Sequence, residues 1–268
     1  MDYSYKNVKG IYEHVLRLGM LSPPEDIIAA WMLFKNINQI DSMLELGSYL
    51  GGGLGVFNQL LTATEHPNVK FTGVDHLDFI GAAARGRKGA WYTDHFNRCL
   101  SVEERAGLAA LNTAEEATSW IQERTLRLTN TPIDLTCVLD EQELDNTQYD
   151  IIHHDYGDSV EENLTTIRHC VPKLKDTGIY IVDDWCTGAP LRTVATVIAV
   201  QEKLLYPVLW GKNKVFYARN PERAQQVVSA MLRDPENNPK LFKGMPGSDY
   251  FGTGYKSIRM HWQAIQWA

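Results

Sequence analysis

The stretch Met43-Leu44-Glu45-Leu46-Gly47-Ser48-Tyr49-Leu50-Gly51-Gly52-Gly53 constrains the fold of this chain more than any other. An apolar run that meets an acidic residue and then a glycine cluster reads as a strand, a tight turn and the start of a helix. Glycine has no Cβ, so such a turn can take positive φ and bring backbone against a small charged ligand, while the following helix points its unpaired N–H groups at it. The dinucleotide fingerprint G-x-G-x-x-G fits poorly, because Ser48 and Tyr49 follow Gly47. Taken alone, the motif is equally compatible with glycines that serve only the turn.

The next segment narrows the choice. Val69-Lys70-Phe71-Thr72-Gly73-Val74-Asp75 is a second apolar strand ending in a carboxylate, where the adjacent parallel strand of a nucleotide-binding sheet should end. A carboxylate at that place can accept both hydroxyls of a ribose. Further strands are expected at Ile133–Leu139, at the start of Tyr149–Ser159 and at Ile179–Trp185, with helices between them. Alternation of this kind makes a parallel α/β sheet. Tyr206–Trp210 and Lys214–Ala218 flank Gly211-Lys212-Asn213 and read as a closing hairpin.

The 268 residues suit one domain. We divide it into N-terminal helices over 1–40, a core over 41–219 and a C-terminal helix and tail over 220–268. Helices are expected near 6–19 and after Ser22-Pro23-Pro24-Glu25-Asp26. An insertion at 79–130 exceeds what a simple crossover needs. Its first part, 79–100, is small, basic and glycine-punctuated and reads as a mobile loop or lid. Its second, 101–128, reads as two helices, opened by a Ser101–Glu104 capping box and by Thr113. A helical hairpin packed on the sheet edge is the plainer reading of the same residues.

A net charge of −7 with no basic run argues against a nucleic-acid partner. No run of 18 apolar residues suggests a membrane span, and the first residues lack the apolar stretch of a signal peptide, so a cytoplasmic protein is expected. Cys99, Cys137, Cys170 and Cys186 show no C-x-x-C spacing, and a reduced, largely buried set is expected.

The second concentration of chemistry lies at two strand ends. Asp155 follows Tyr149-Asp150-Ile151-Ile152-His153-His154, and Asp183-Asp184-Trp185 follows Ile179-Tyr180-Ile181-Val182. Parallel strands place their C-terminal ends on one rim, so Asp155, Asp183 and Asp184 can converge. Three carboxylates repel, and a hard divalent cation such as Mg²⁺ is one way to hold them together. A metal-free arrangement, with Asp183 acting alone as a base, stays open. His153 and His154 alternate across their strand, and a satisfied sheet histidine competes with a general-base role for either.

The E-x-G-x-x-x-G pattern of Glu45, Gly47 and Gly51, with Asp75 at the next strand end, resembles the first motifs of class I S-adenosylmethionine-dependent methyltransferases. Asp155 with Asp183-Asp184-Trp185 resembles the acid set of divalent-metal-dependent O-methyltransferases of the macrocin and catechol types. The resemblance covers about residues 41–219 and is looser for the subgroup than for the superfamily. It implies a Rossmann-like, doubly wound, mostly parallel seven-stranded sheet with an antiparallel closing strand and a helical insertion. It implies a cofactor site of Glu45, Gly47, Ser48, Tyr49, Gly51, Asp75, His76, Asp140 and Asp155. The metal set would be Asp155, Asp183 and Asp184, and the catalytic candidates Asp155, Asp183 and His153.

The expected activity is methyl transfer from S-adenosylmethionine to a small-molecule hydroxyl, of a natural product or a sugar, with Mg²⁺ assisting. A carboxylate on a small metabolite or modified peptide is the alternative acceptor. An S-adenosylmethionine-binding isomerase or lyase, or a non-catalytic binder, is the alternative class. A short-chain dehydrogenase is disfavoured, since the only Tyr-x-x-x-Lys match, Tyr5 to Lys9, precedes the first strand. The aromatics of the tail, Trp262 and Trp267 among them, could line an acceptor pocket or a homodimer contact.

Overall fold

The computed structural model describes Leu18 and residues 24–76, 96–185 and 190–234. Helix α1 (Pro24–Phe34) precedes strand β1 (Ser42–Leu46), helix α2 (Gly52–Ala63) and strand β2 (Lys70–Val74). Helices α3 (Val102–Ala110) and α4 (Ala114–Thr129) follow, then β3 (Asp134–Val138), β4 (Tyr149–His154), α5 (Val160–Cys170) and β5 (Leu174–Val182). Helix α6 (Pro190–Gln201), strands β6 (Tyr206–Trp210) and β7 (Val215–Ala218), and helix α7 (Pro221–Arg233) complete the order. The helix expected near 6–19, the first part (79–95) of the loop read over 79–100 and the tail after 234 lie outside the described residues, apart from Leu18, and within that loop reading 96–99 are helical.

The strands form one sheet in the order β3-β2-β1-β4-β5-β7-β6. Pairing is parallel from β3 to β5, whereas β7 runs antiparallel to both β5 and β6. The doubly wound sheet with its antiparallel closing strand is therefore as expected. The order reverses at β1 and β4, and such a switch point opens a crevice at the carboxyl ends of the strands. Glycine turn and acid cluster both lie there.

Two apolar layers cover the sheet, and alternation along each strand decides which residue serves which. Met43, Ile151, Ile179 and Ile181 pack with α1, α2 and α7. Leu44, Ile152, Tyr180 and Val182 pack on the other face with α5 and α6. All six residues of β4 are buried, as a central strand covered on both sides requires.

The helices of the insertion form as their caps predict. Ser101 and Glu104 close one capping box and Thr113 and Glu116 another. Helix α4 packs on β3, and Ile121 reaches the glycine turn. There Leu50 and Tyr49 join Leu100, Leu108, Ala117 and Trp120 in a small apolar cluster. The helical half of the insertion thus walls the turn. One boundary differs from expectation: β5 begins at Leu174, and the Lys175–Gly178 turn is an irregularity inside it, where pairing jumps from Tyr149–Leu174 to Ile151–Ile179. Gly178 permits it, because a Cβ there would lie 2.9 Å from the Asp150 carbonyl oxygen.

Candidate active site at the switch point

The glycine turn is built from backbone. Gly47 has φ +87° and donates its N–H to the Val74 carbonyl at 2.8 Å. A Cβ on Gly47 would stand 2.1 Å from the Asp155 carbonyl oxygen, so any side chain would push the β1 and β4 ends apart. Gly51 takes φ +72° as the N-cap of α2 and makes no side-chain cap bond. The Tyr49 N–H donates to Asp75 Oδ2 at 2.7 Å, and Tyr49 holds a positive φ of 46° to do so. Asp75 thereby fixes the turn.

Beside Asp75, His76 Nδ1 bonds the Leu139 carbonyl at 3.0 Å and its Nε2 meets the Tyr156 hydroxyl. With Nδ1–H donating, Nε2 accepts from the phenol. This stitches the ends of β2, β3 and β4 together. Tyr156 was not expected from the sequence, although it directly follows Asp155. Asp140 caps the short turn Glu141–Glu143 by accepting from the Gln142 N–H at 2.8 Å, so its side chain serves local structure at the β3 end. Ser48 is buried against Gly73, where a Cβ would lie 2.4 Å from Ser48 Oγ.

Glu45 lies beneath the turn, only 2 % exposed. It pairs in register with His153 on the neighbouring strand, and its Oε1 lies 2.9 Å from His153 Nδ1. On the other side of the ring, His153 Nε2 stands 3.0 Å from Lys214 Nζ, and Lys214 forms an ion pair with Asp183. An ammonium can only donate, so Nε2 accepts and Nδ1–H donates to Glu45. Burial, and then the Lys214 charge, hold the His153 imidazole well below its ordinary range. Burial and then the Asp155 charge raise the Glu45 carboxyl well above its own.

These placements correct the view of His153 as a base at the acceptor. It is 1 % exposed with both ring nitrogens engaged, and it supports the rim from below. His154 is the satisfied sheet histidine: Tyr180 Oη donates to its Nδ1 at 2.9 Å, and its Nε2 meets the Tyr156 carbonyl at 2.9 Å. Burial, and then Arg192, push it down to about 3.

Above this layer Asp155, Asp183 and Asp184 do share one rim, but their charge is met by the chain itself. Arg192, from the first turn of α6, donates from Nη1 to Asp155 Oδ1 at 2.6 Å and to Asp184 Oδ2 at 3.1 Å. Asp183 accepts the Asp184 N–H on Oδ1 at 2.8 Å and faces Lys214 with Oδ2. Asp184 turns away at a positive φ of 54°. Asp155 keeps 38 % of its side-chain surface exposed. Desolvation, and then the Asp183 charge, push its carboxyl up to about 7 against Arg192 and Lys214. Among the described residues no group of three His, Cys, Asp or Glu side chains is arranged to hold a metal ion. A hard cation is held by carboxylate oxygens with waters completing its shell, whereas here each of the three carboxylates lends an oxygen to a guanidinium or an ammonium. The expected metal set therefore comes together without fitting a metal.

Lys214 owes its place to a residue that sequence reading left as part of a helix start. Asp26, on α1 and fully buried, accepts the backbone N–H groups of Lys212, Asn213 and Lys214 at 2.6–3.1 Å. Gly211 makes room for it, since a Cβ there would lie 2.2 Å from Asp26 Oδ1. A lysine just ahead of Val215-Phe216-Tyr217, opposite a strand ending in two aspartates, was the available signal. A lone arginine in the apolar run Pro190-Leu191-Arg192-Thr193-Val194-Ala195 was another.

No protein-family model matches the chain, and no curated protein matches it. Among solved structures it is similar to the O-methyltransferase NovP, at 16 % identity over 79 % of this chain and 80 % of that one, with a TM-score of 0.45. It is also similar to CalS11, a TDP-rhamnose 3'-O-methyltransferase of calicheamicin biosynthesis, at 15 % identity over 72 % and 78 %, with a TM-score of 0.43. Cofactor-bound Rv0187 from MTB gives 11 % identity over 78 % and 89 %, with a TM-score of 0.46. These likenesses are remote.

Proposed function

We propose that this chain transfers the methyl group of S-adenosylmethionine to an oxygen of a small-molecule acceptor, a natural-product or sugar hydroxyl. The observation that carries the reading is the contact between Gly47 and Asp155. It sets the glycine turn directly against the backbone of Asp155, so a nucleoside lying on the turn and an acceptor at the Asp155 carboxylate would be neighbours. The residues are compatible with the cofactor: Gly47 and Gly51 let the turn take positive φ and pack tightly on Asp155 and Ile121, the N-terminus of α2 has no side-chain cap and would suit an anionic group, and we assign the ribose to Asp75.

Bound S-adenosylmethionine supplies an electrophilic methyl on a sulfonium. The acceptor oxygen forms the new bond to carbon as the carbon–sulfur bond breaks in line with it, and the electron pair of the broken bond stays on sulfur. The protein's part is to align the acceptor and take its proton. Asp155 is the group placed for that, being exposed at the rim and held near neutrality by its surroundings. Ground-state alignment falls to Arg192, which fixes the Asp155 carboxylate. The carboxylates that would hold a metal are engaged by Arg192 and Lys214.

Calorimetric titration with S-adenosylhomocysteine tests the cofactor half. Binding is expected, and Asp75→Ala should weaken it by about 1.5–3 kcal/mol through loss of charge-assisted hydrogen bonds. Absence of binding to the wild-type chain would remove the methyltransferase reading altogether.

A further inference from the structure

We infer that Arg192 and Lys214 take the place of a divalent cation at the acid rim, so that this chain holds Asp155, Asp183 and Asp184 together without a metal. The inference rests on the proposed function only for what the rim is used for. The ion arrangement stands on its own distances.

Consider what an entering cation would meet. Asp155 and Asp184 are bridged by one guanidinium nitrogen, at 2.6 and 3.1 Å, which is how a metal would bridge two carboxylates. Arginine does not give up its proton in proteins, so it cannot make way by becoming neutral; it has to be displaced as a cation. Its side chain is only 12 % exposed, and leaving would break both of its ion pairs, with Asp155 and with Asp184. Asp183 faces Lys214, whose side chain is 1 % exposed and is anchored from behind by His153 and by the Asp26-capped hairpin. Two fixed positive charges thus balance two of the three carboxylates. A dication added to this set would sit next to both of them, and repulsion at such separations in a partly buried site outweighs what the remaining carboxylate oxygens can return.

The test is a gain of metal binding. Full-length protein is stripped with chelator, saturated with S-adenosylhomocysteine, and titrated with Mn²⁺ while the free ion is followed by electron paramagnetic resonance. Wild type should take up no stoichiometric Mn²⁺. Arg192→Met leaves the carboxylates without their bridge and should bind one ion per chain, at least about tenfold more tightly than wild type. Asp155→Asn added to Arg192→Met should remove that site again. If Arg192→Met does not fold, Arg192→Gln keeps a planar polar group at the position and is read in the same way. Stoichiometric uptake by wild type that Asp155→Asn abolishes would overturn the inference, and so would a failure of both Arg192 variants to gain an ion. Failure of S-adenosylhomocysteine to bind would instead count against the proposed function, and the Mn²⁺ comparison could still be made without it.

Discussion

Two neighbouring parts of one sheet rim are held by different physics. The β1–α2 and β2 end is a backbone construction: positive-φ glycines, N–H groups on carbonyls, and one carboxylate accepting a turn N–H. The β4, β5 and β7 end is a side-chain construction in which Glu45, His153, Lys214, Asp183, Arg192, Asp155 and Asp184 compensate one another. A backbone site tolerates almost no added volume but contains little buried charge. A charge network tolerates isosteric change poorly for another reason: removing one member leaves its partner buried and unpaired. The two halves should therefore fail differently.

The largest effect is expected on the charged side. Lys214→Met keeps the bulk of the stem but leaves Asp183 without its ammonium and His153 Nε2 without a donor. Loss of one partner of a buried pair predicts destabilisation by about 3–5 kcal/mol, read by urea denaturation, with the affinity of the folded protein for S-adenosylhomocysteine little changed. A loss near zero would mean that the network does not hold the rim. On the backbone side, Gly47→Ala forces a Cβ into the Asp155 carbonyl and a non-glycine into φ +87°. Steric overlap and left-handed backbone together predict a loss of about 2–4 kcal/mol. Here cofactor binding should vanish even in the fraction that remains folded. If Gly47→Ala binds normally and Lys214→Met does not, the division of labour is reversed.

The same contrast explains what the sequence made legible. The strand positions, the glycine turn, the capping boxes and the β6–β7 hairpin follow from local rules, because each is decided within a few residues by a missing Cβ, a cap or an alternation. Strand-end arithmetic also brought Asp155, Asp183 and Asp184 to one rim. What neutralises them was hidden, since Arg192 lies 37 residues from Asp155, although only 8 from Asp184, and Lys214 lies 31 from Asp183. Asp26 reaches its hairpin across 188 residues. Three carboxylates without visible partners suggest a metal, whereas the fold supplies two cations. His153 was similarly ambiguous: alternation gave its face, and only the register pairing with Glu45 showed that the face is covered at that depth.

The smallest effect concerns the link between α1 and the charged half, and is read as a slope. Asp26 has an ordinary carboxyl pKa of 3.8 and is pushed up to about 7 in the fold, by burial first, with Lys214 opposing and Asp183 adding to the rise. The folded chain therefore retains on Asp26 a proton that the unfolded chain releases above about pH 4. Stability from this group is fullest below pH 4 and is lost as pH rises toward 7, the reverse of a salt-bridged surface carboxylate. Asp26→Asn keeps an oxygen for the Lys212, Asn213 and Lys214 N–H groups, so the difference at pH 7 should stay within about 1 kcal/mol. Its stability should fall less steeply than that of wild type between pH 4 and 7. The slope should not vanish, because Glu45 and Asp155 are shifted in the same direction. Denaturation midpoints taken across that range for both proteins decide it: parallel curves would mean that Asp26 is already ionised in the fold, with Lys214 balancing it as a full charge, and that the hairpin is held by a carboxylate instead of by a protonated carboxyl.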